Sequence, residues 1–468
     1  MPEGVSIVSK AFLEYIRDNY HSHLEELKQL LRFQSVSGVE ENQVHLLQCA
    51  EYLVNHLRRI GFENVSFIET GPNPVVYAEW LHATCKPTVL VYGHYDVQPP
   101  GPLELWETPP FEPNIRGGKI YARGASDDKG QIFTHLKVFE TILATTGALP
   151  VNIKICFEGE EEIGSPHLIQ LLKERLELFR ANYVVVSDTA MLDEDQPSVC
   201  CGLRGLIDMD IHLQGAKHDL PSGLYGGAVQ NPAKALVKIL SSLIDETGRV
   251  TVEGFYRDVV NLDEDEKQAI WSLPQDDDAL AKRLQVSSLF GESGYTTLER
   301  TWTRPTIEIN EMHSGRRGAS IIPSEASAQV SCRLVMRQNP QHILECIREH
   351  ITRQIQPGVK VTVSCTDSAN PYHISERHPL VKIAARAYGR AYDKKVAFVR
   401  AGGSIPIVEI LDCRLHVPII LMGFGLPTAN VHGPNEHFSL DNMQKAMITL
   451  YHFWNGIVDE PRRHHDFV

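Results

Sequence analysis

Short apolar runs that end on an acid or a histidine, separated by segments of helical periodicity, narrow this chain to an α/β architecture. Val89-Leu-Val-Tyr-Gly runs into His94 and Asp96. Val151–Phe157 runs into Glu158, Glu160, Glu161 and Glu162, and Tyr183–Val186 runs into Ser187 and Asp188. Between them, Gly130–Thr146 and Ser165–Phe179 carry helical spacing. Strands alternating with helices imply a mostly parallel sheet with helices on both faces. Ligands of such sheets gather at the carboxyl ends of the strands.

Residues 8–33 and 42–60 have helical apolar spacing, the second stopping at Gly61, and β-rich runs follow at Val65–Ile68, Val75–Trp80 and Thr88–Tyr92. The pattern changes after Gly205. Leu206–Leu213 alternates like a half-exposed strand, Pro232–Ile244 is helical, and an acidic, irregular stretch contains Asp263–Lys267 and Asp276–Asp278. A strand (Ala326–Val335), a helix (Gln341–Ile355) and a strand (Val359–Cys365) complete an α+β unit of antiparallel strands with helices on one face. The α/β style resumes with helix Leu380–Tyr392, strand Pro418–Met422 and helix Asn442–Val458. The expected organisation is one α/β domain, residues 1–205 and 376–468, interrupted by an inserted domain at 206–375.

The chemistry sits at the strand ends. A neutral imidazole at His94 is a good ligand for zinc-like metals, and Asp96 is placed to fix its tautomer. In Gly124-Ala-Ser-Asp127-Asp128-Lys129-Gly130, capping of the next helix explains one acid but not two. Four carboxylates within Glu158–Glu162 repel one another unless a cation neutralises them or one takes up a proton. Downstream lies Val431-His432-Gly-Pro-Asn435-Glu436-His437. Together His94, Asp127, Glu162, Asp188 and His432 are five N/O donors. One bridging carboxylate with two further ligands per ion would hold two divalent cations about 3.5–4 Å apart, activating water and polarising a carbonyl. Glu161 remains as a general base, and Asp96 is counted with it in the catalytic set.

A formal net charge of -14 argues against a nucleic-acid partner, which needs a basic face. The nine cysteines are odd in number and scattered, with no CxxC pair, so a reducing compartment is expected. The segment Met1–Arg32, with Glu3, Lys10, Glu14, Arg17 and Asp18, has no apolar leader core. No stretch reaches the roughly 20 apolar residues that span a bilayer. The expectation is a cytoplasmic protein with no membrane partner.

These clusters resemble the co-catalytic metallopeptidase family of carnosinase-type cytosolic dipeptidases, glutamate carboxypeptidase, aminoacylase and succinyl-diaminopimelate desuccinylase. The resemblance rests on G-H-Y-D-V-Q-P-P at 93–100, W-x-x-x-P-F-x-P at Trp106–Pro113 and R-G-A-S-D-D-K-G at 123–130. The dipeptidase branch is most similar, through Gly202-Leu-Arg-Gly205, Ser222-Gly-Leu-Tyr-Gly-Gly227 and Gly402-Gly-Ser-Ile-Pro406. It implies two divalent ions per chain, Zn2+ or Mn2+, with His94 and Asp188 on one, Glu162 and His432 on the other, and Asp127 bridging next to a cis peptide to Asp128. It makes Glu161 the base acting on a bridging water or hydroxide. It gives Arg333, in Ser331-Cys-Arg-Leu-Val335, the substrate carboxylate, with Ser404 and Gly403 as further substrate contacts. It makes the inserted domain a ferredoxin-like lid and homodimer surface. The implied reaction is hydrolysis of the amide bond of dipeptides or similar small substrates with a free carboxylate. N-acyl amino acid deacylation or carboxypeptidase action on the same site is the alternative, and a non-catalytic binding protein a remote one. One departure stands out: where the family carries an oxyanion-stabilising histidine before Ser-Gly, this chain has Pro221. Loss of such a donor can cost about 100–1,000-fold in rate. His218 or His313 could substitute, or another group, or the preferred substrate differs.

Overall fold

The computed structural model describes residues 8–459; Glu3 and the last nine residues lie outside the described residues. The chain divides into two compact units, one running to Cys201 with Ile374–Val399 and the segment from Pro406, the other comprising Gly202–His373 with Arg400–Ile405.

In the large unit, four strands lie parallel and adjacent: Asn152–Glu158, Thr88–His94, Tyr183–Val186 and Ile419–Leu421. Val75–Trp80 and then Glu63–Ile68 add antiparallel beside Asn152–Glu158. The parallel strands are buried along nearly their whole length. Continuous Val/Ile runs without alternation are what a sheet covered on both faces demands. Register puts His94 opposite Glu158 and Tyr92 opposite Val186, so the strand ends carrying the acids and His94 emerge side by side.

The helix Lys129–Thr146 starts directly after Asp127–Asp128 and is buried on almost every face. It ends at Gly147, whose φ of +76° is a left-handed C-cap that glycine adopts freely. Its buried polar side chains are each tied down at one end or more, with His135 Nδ1 left without a partner. Lys129 Nζ donates to the Phe33 carbonyl at 2.8 Å, and Gln131 donates to the Ser126 carbonyl at 3.0 Å and accepts the Phe424 N–H at 2.7 Å. Lys137, 1% exposed, donates to Glu140 at 2.6 Å and to Glu26. Burial opposes ionisation of Glu140, but His56 and Lys137 outweigh it and hold its carboxyl below the usual range. The acids Glu26 and Glu140 beside His56 thus carry their own cation in the lysine ammonium.

The small unit holds a four-stranded antiparallel sheet in the order Thr306–Ser314, Glu325–Leu334, Gly205–Gln214, Lys360–Ala369. Gly205–Gln214 alternates along its second half, and Ile207, Met209, Ile211 and Leu213 join one buried cluster with Leu236 of helix Pro232–Ser241 and Ile343 and Ile347 of helix Pro340–Gln354.

Several sequence expectations need correction. The helical segment 8–33 is two helices, Lys10–Asp18 and Tyr20–Arg32. Asn19 interrupts it by donating its side-chain amide to the Tyr15 carbonyl at 2.9 Å, competing with the helix ladder. The acidic stretch is not irregular. Asp263 forms a capping box for helix Glu264–Trp271, and Asp276 caps Asp277–Leu284; these acids start helices. The small unit begins at Gly202 rather than 206 and reclaims Arg400–Ile405. Arg204 Nε donates to the Gly402 carbonyl at 2.8 Å and Arg400 pairs with Glu266 at 2.8 Å, which ties that loop to the small unit. Among the described residues no helix is long and apolar enough to cross a membrane.

Replacing Lys137 by Met should leave the half-buried Glu26 and Glu140 without their shared ammonium, with only Arg59 beside Glu26 and His56 beside Glu140. We expect a loss of about 3–5 kcal/mol at neutral pH, read as a lowered denaturant midpoint; an unchanged midpoint would show that the pair is solvated.

Candidate metal centre

His94 ends its strand fully buried. Its Nδ1 lies 3.1 Å from the Asp96 carbonyl oxygen, which can only accept, so Nδ1 carries a proton. Nε2 then faces Asp127 Oδ1 at 3.1 Å and Asp188 Oδ1 at 3.9 Å. A lone pair opposite two carboxylates is tolerable only with a positive charge among them. Burial disfavours charge on His94, yet hydrogen bonding to Asp127, Asp188 and Asp96 raises its proton affinity well above the ordinary value. A second group forms on the other oxygen of Asp127. His432 Nε2 lies 2.8 Å from Asp127 Oδ2 and 3.3 Å from Glu162 Oε2, and these two hydrogen bonds draw its pKa up to about 10. His432 has a φ of +60° in its turn.

The acids of Glu158–Glu162 separate into different environments. Glu158 turns into the core, where it accepts from the Tyr92 hydroxyl at 2.6 Å and Ser165 Oγ at 2.8 Å, and burial pushes its carboxyl up to about 8. Glu160 is buried against the His167 ring at 2.7 Å. Glu161 and Glu162 begin a short 3-10 turn whose first two N–H groups donate to the Asp96 carboxylate at 3.2 and 3.1 Å. Asp96 therefore orients His94 through its carbonyl and, with Oδ1 3.3 Å from Nδ1, through its carboxylate, which also holds the acidic turn. Burial raises the Glu161 carboxyl well above the ordinary range; His94 opposes this, and Asp188, Glu162 and Asp127 add to it. Asp188 is likewise pushed up to about 6, chiefly by burial.

The five donors meet the requirement for divalent cations. His94, Asp127 and Asp188 present donor atoms within 4.8 Å of one another, and so do Asp127, Glu162 and His432. Among the described residues, no lysine or arginine pairs with Asp127, Glu162 or Asp188; their ion-pair partners are His94 and His432. Imidazole and carboxylate are donors suited to zinc-like ions.

Sequence reading missed the groups behind these donors. Glu436, fully buried, accepts from Arg123 Nη1 at 2.6 Å and from the N–H groups of Gly124, Ser126 and Asp127 at 3.0, 2.9 and 3.1 Å. It stitches the Asp127 loop to the turn bearing His432. The Asp127–Asp128 peptide is cis, as the family resemblance implied, and Asp128 Oδ2 accepts the His94 N–H at 3.3 Å, a contact the sequence did not indicate. Gln98 Nε2 donates to Glu162 Oε2 at 2.9 Å, and the Gln98 N–H to Oε1 at 3.2 Å. Gln98 and Glu436 both stand inside the quoted motifs. Their only sequence signal is proximity to a donor, since their partners come from distant parts of the chain.

In the small unit, Arg333 Nη1 donates to Ser404 Oγ at 3.0 Å, and Gly403 is exposed. Pro221 pairs with Ile321 in a two-residue ladder. His218 is exposed before that ladder, and His313 is exposed on the sheet's edge strand beside Glu311. Neither histidine belongs to the two donor groups.

Changing Glu436 to Gln leaves Arg123 buried against a neutral amide. Metal affinity should weaken about 10- to 100-fold, measured by calorimetric titration of metal-stripped protein; wild-type affinity would refute the bracing role.

The model for the peptidase family M20/M25/M40 matches residues 90–456. The Cys-Gly metallodipeptidase DUG1 of Candida albicans is 29% identical over 449 residues, covering 91% of this chain and 93% of that one. The crystal structure of human carnosine dipeptidase 1 superposes with a TM-score of 0.83 at 26% identity, covering 97% and 100% of the two chains. The M20 family metallo-carboxypeptidase Sso-CP2 of Sulfolobus solfataricus gives 0.83 at 30% identity, covering 93% and 99%. With a family model spanning most of its length and relatives matched almost end to end, the chain belongs to the M20/M25/M40 peptidases and is a metallopeptidase.

Proposed function

We propose that this protein hydrolyses the amide bond of dipeptides and similar small substrates with a free carboxylate. The observation that carries this reading is Asp127, whose two oxygens each face a separate three-donor group. The names of the relatives, a Cys-Gly metallodipeptidase and a carnosine dipeptidase, support the substrate class.

His94, Asp127 and Asp188 would hold one divalent cation, and Asp127, Glu162 and His432 the other, Zn2+ or Mn2+. Such a pair supplies Lewis acidity toward the scissile carbonyl and makes water more acidic. Glu161 accepts the proton of the attacking water as the new C–O bond forms. It returns that proton to the leaving nitrogen as the C–N bond breaks. A carboxyl with raised proton affinity suits both halves of this exchange. Asp96 keeps Glu161 on its turn. Arg333 takes the terminal carboxylate, for which a bidentate guanidinium is well shaped, with Gly403 beside it. His218 is a candidate for the oxyanion contact that Pro221 cannot make. The small unit acts as lid and homodimer surface. The nine cysteines, none in a disulfide, fit a reducing cytoplasm.

Carboxypeptidase action on the same centre is the second reading, favoured by the likeness to Sso-CP2. Elemental analysis should find two divalent ions per chain, and a panel of dipeptides, longer peptides and N-acyl amino acids should show turnover lost on chelation and highest for dipeptides. Glu161→Gln should lower kcat about 100- to 10,000-fold with metal content unchanged. Wild-type turnover in that variant would remove Glu161 from the reaction.

A further inference from the structure

The two imidazoles of the donor set are oriented in different ways. His94 Nδ1 donates to the Asp96 carbonyl at 3.1 Å, so its ring is fixed from behind. His432 points Nε2 at Asp127 and Glu162, and among the described residues its Nδ1 has no hydrogen-bond partner. Its side chain is 53% exposed, so packing restrains only part of it. A ligating histidine ordinarily takes its aim from a partner on the second nitrogen. His432 must take it from its backbone, which has a φ of +60° and lies between Asn430 at +53° and Asn435 at +59°. Left-handed conformations of non-glycine residues persist only where their surroundings hold them.

Asn435 supplies a hold from outside the turn. The Glu107 N–H donates to Asn435 Oδ1 at 2.9 Å, and Asn435 Nδ2 donates to the Leu105 carbonyl at 2.8 Å. Both directions are set by chemistry, since a backbone N–H only donates and a carbonyl only accepts. The two groups flank Trp106, which is extended at φ -87° and ψ 129°. A carbonyl and an N–H two residues apart face one side of an extended chain, so the side-chain amide takes the place of a neighbouring strand. The segment it grips is itself anchored. Trp106 Nε1 donates to the Pro100 carbonyl at 2.8 Å, and Arg123 Nη2 to the Pro99 carbonyl at 3.1 Å. Arg123 also holds Glu436. The adjacent side chains of Asn435 and Glu436 thus tie the turn to two different segments, residues 105–107 and residues 123–127.

We propose that Asn435 is a positioning residue for one of the two cations: its amide clamp on residues 105–107 holds the left-handed turn and thereby aims His432 Nε2, while His94 and Asp188, on the other cation, do not depend on it. This rests on the metal pair of the proposed function.

The test is calorimetric titration of Mn2+ into metal-stripped protein, which reads binding without turnover. Asn435→Gly permits the left-handed backbone without strain and removes the clamp. It should weaken one ion about 10-fold or more and leave the other within about twofold. His432→Ala should weaken the same ion, and Asn435→Gly should add nothing on top of it. Glu107→Pro removes the N–H from the other side of the clamp and should reproduce part of the loss. Trp106 already has the extended conformation that a following proline demands. Thermal melts of the metal-free proteins identify a variant that fails to fold, and the other of the two then decides. Equal weakening of both ions would mean a general loosening of the site and would overturn the proposal. So would wild-type affinities in Asn435→Gly, or a further loss on top of His432→Ala. Should the wild-type protein bind no pair of ions, the metal reading fails and the clamp with it; a wild-type pair beside an inert Asn435 sinks only the clamp.

Discussion

Asp127 lies between two imidazoles, one on each carboxylate oxygen, and the large unit is arranged around keeping it there. Three of the five donors are acids, and burial, with the neighbouring carboxylates adding to it, pushes up Asp188 among them and Glu161 beside them. Cations resolve that repulsion only if the carboxylates cannot turn away from one another. Glu436 supplies the restraint by drawing the N–H groups of Gly124, Ser126 and Asp127 onto one carboxylate. The Lys129–Thr146 helix begins where that loop ends and is fixed on nearly every face. Positional rigidity and charge crowding are thus two sides of one device.

The alignment of strand ends follows from the parallel sheet. Because Asn152–Glu158, Thr88–His94 and Tyr183–Val186 run in one direction, the residues that follow each strand are delivered to one edge. The twin donor groups need residues more than 300 positions apart, His94 and His432, and sheet topology is what makes that separation irrelevant.

Much of this was legible in the sequence, for physical reasons. An apolar run buried on both faces marks where a strand ends, so His94, Asp188 and the acidic run Glu158–Glu162 stood out, and the family resemblance then selected Glu161 and Glu162 within that run. The supports did not. A glutamate that receives four donors, such as Glu436, has the same local spelling as a solvated one; its meaning comes from Arg123 and Gly124, more than 300 residues earlier. Asp263 and Asp276 misled in the opposite way, since acids that cap helices look like loop acids until the following turn forms. The boundary near Gly202 and the return of Arg400–Ile405 were hidden because they depend on Arg204 reaching Gly402.

The braces of Asp127 are wholly interior, whereas Arg333, Ser404, Gly403 and His218 are partly or fully exposed and belong to the other compact unit. Under the proposed function, substitutions among the first set would disturb packing and bond-breaking power together. On that same reading, those among the second would alter which molecule is held while leaving the metal donors intact. A lineage built on this plan can therefore diversify its diet without relearning its chemistry.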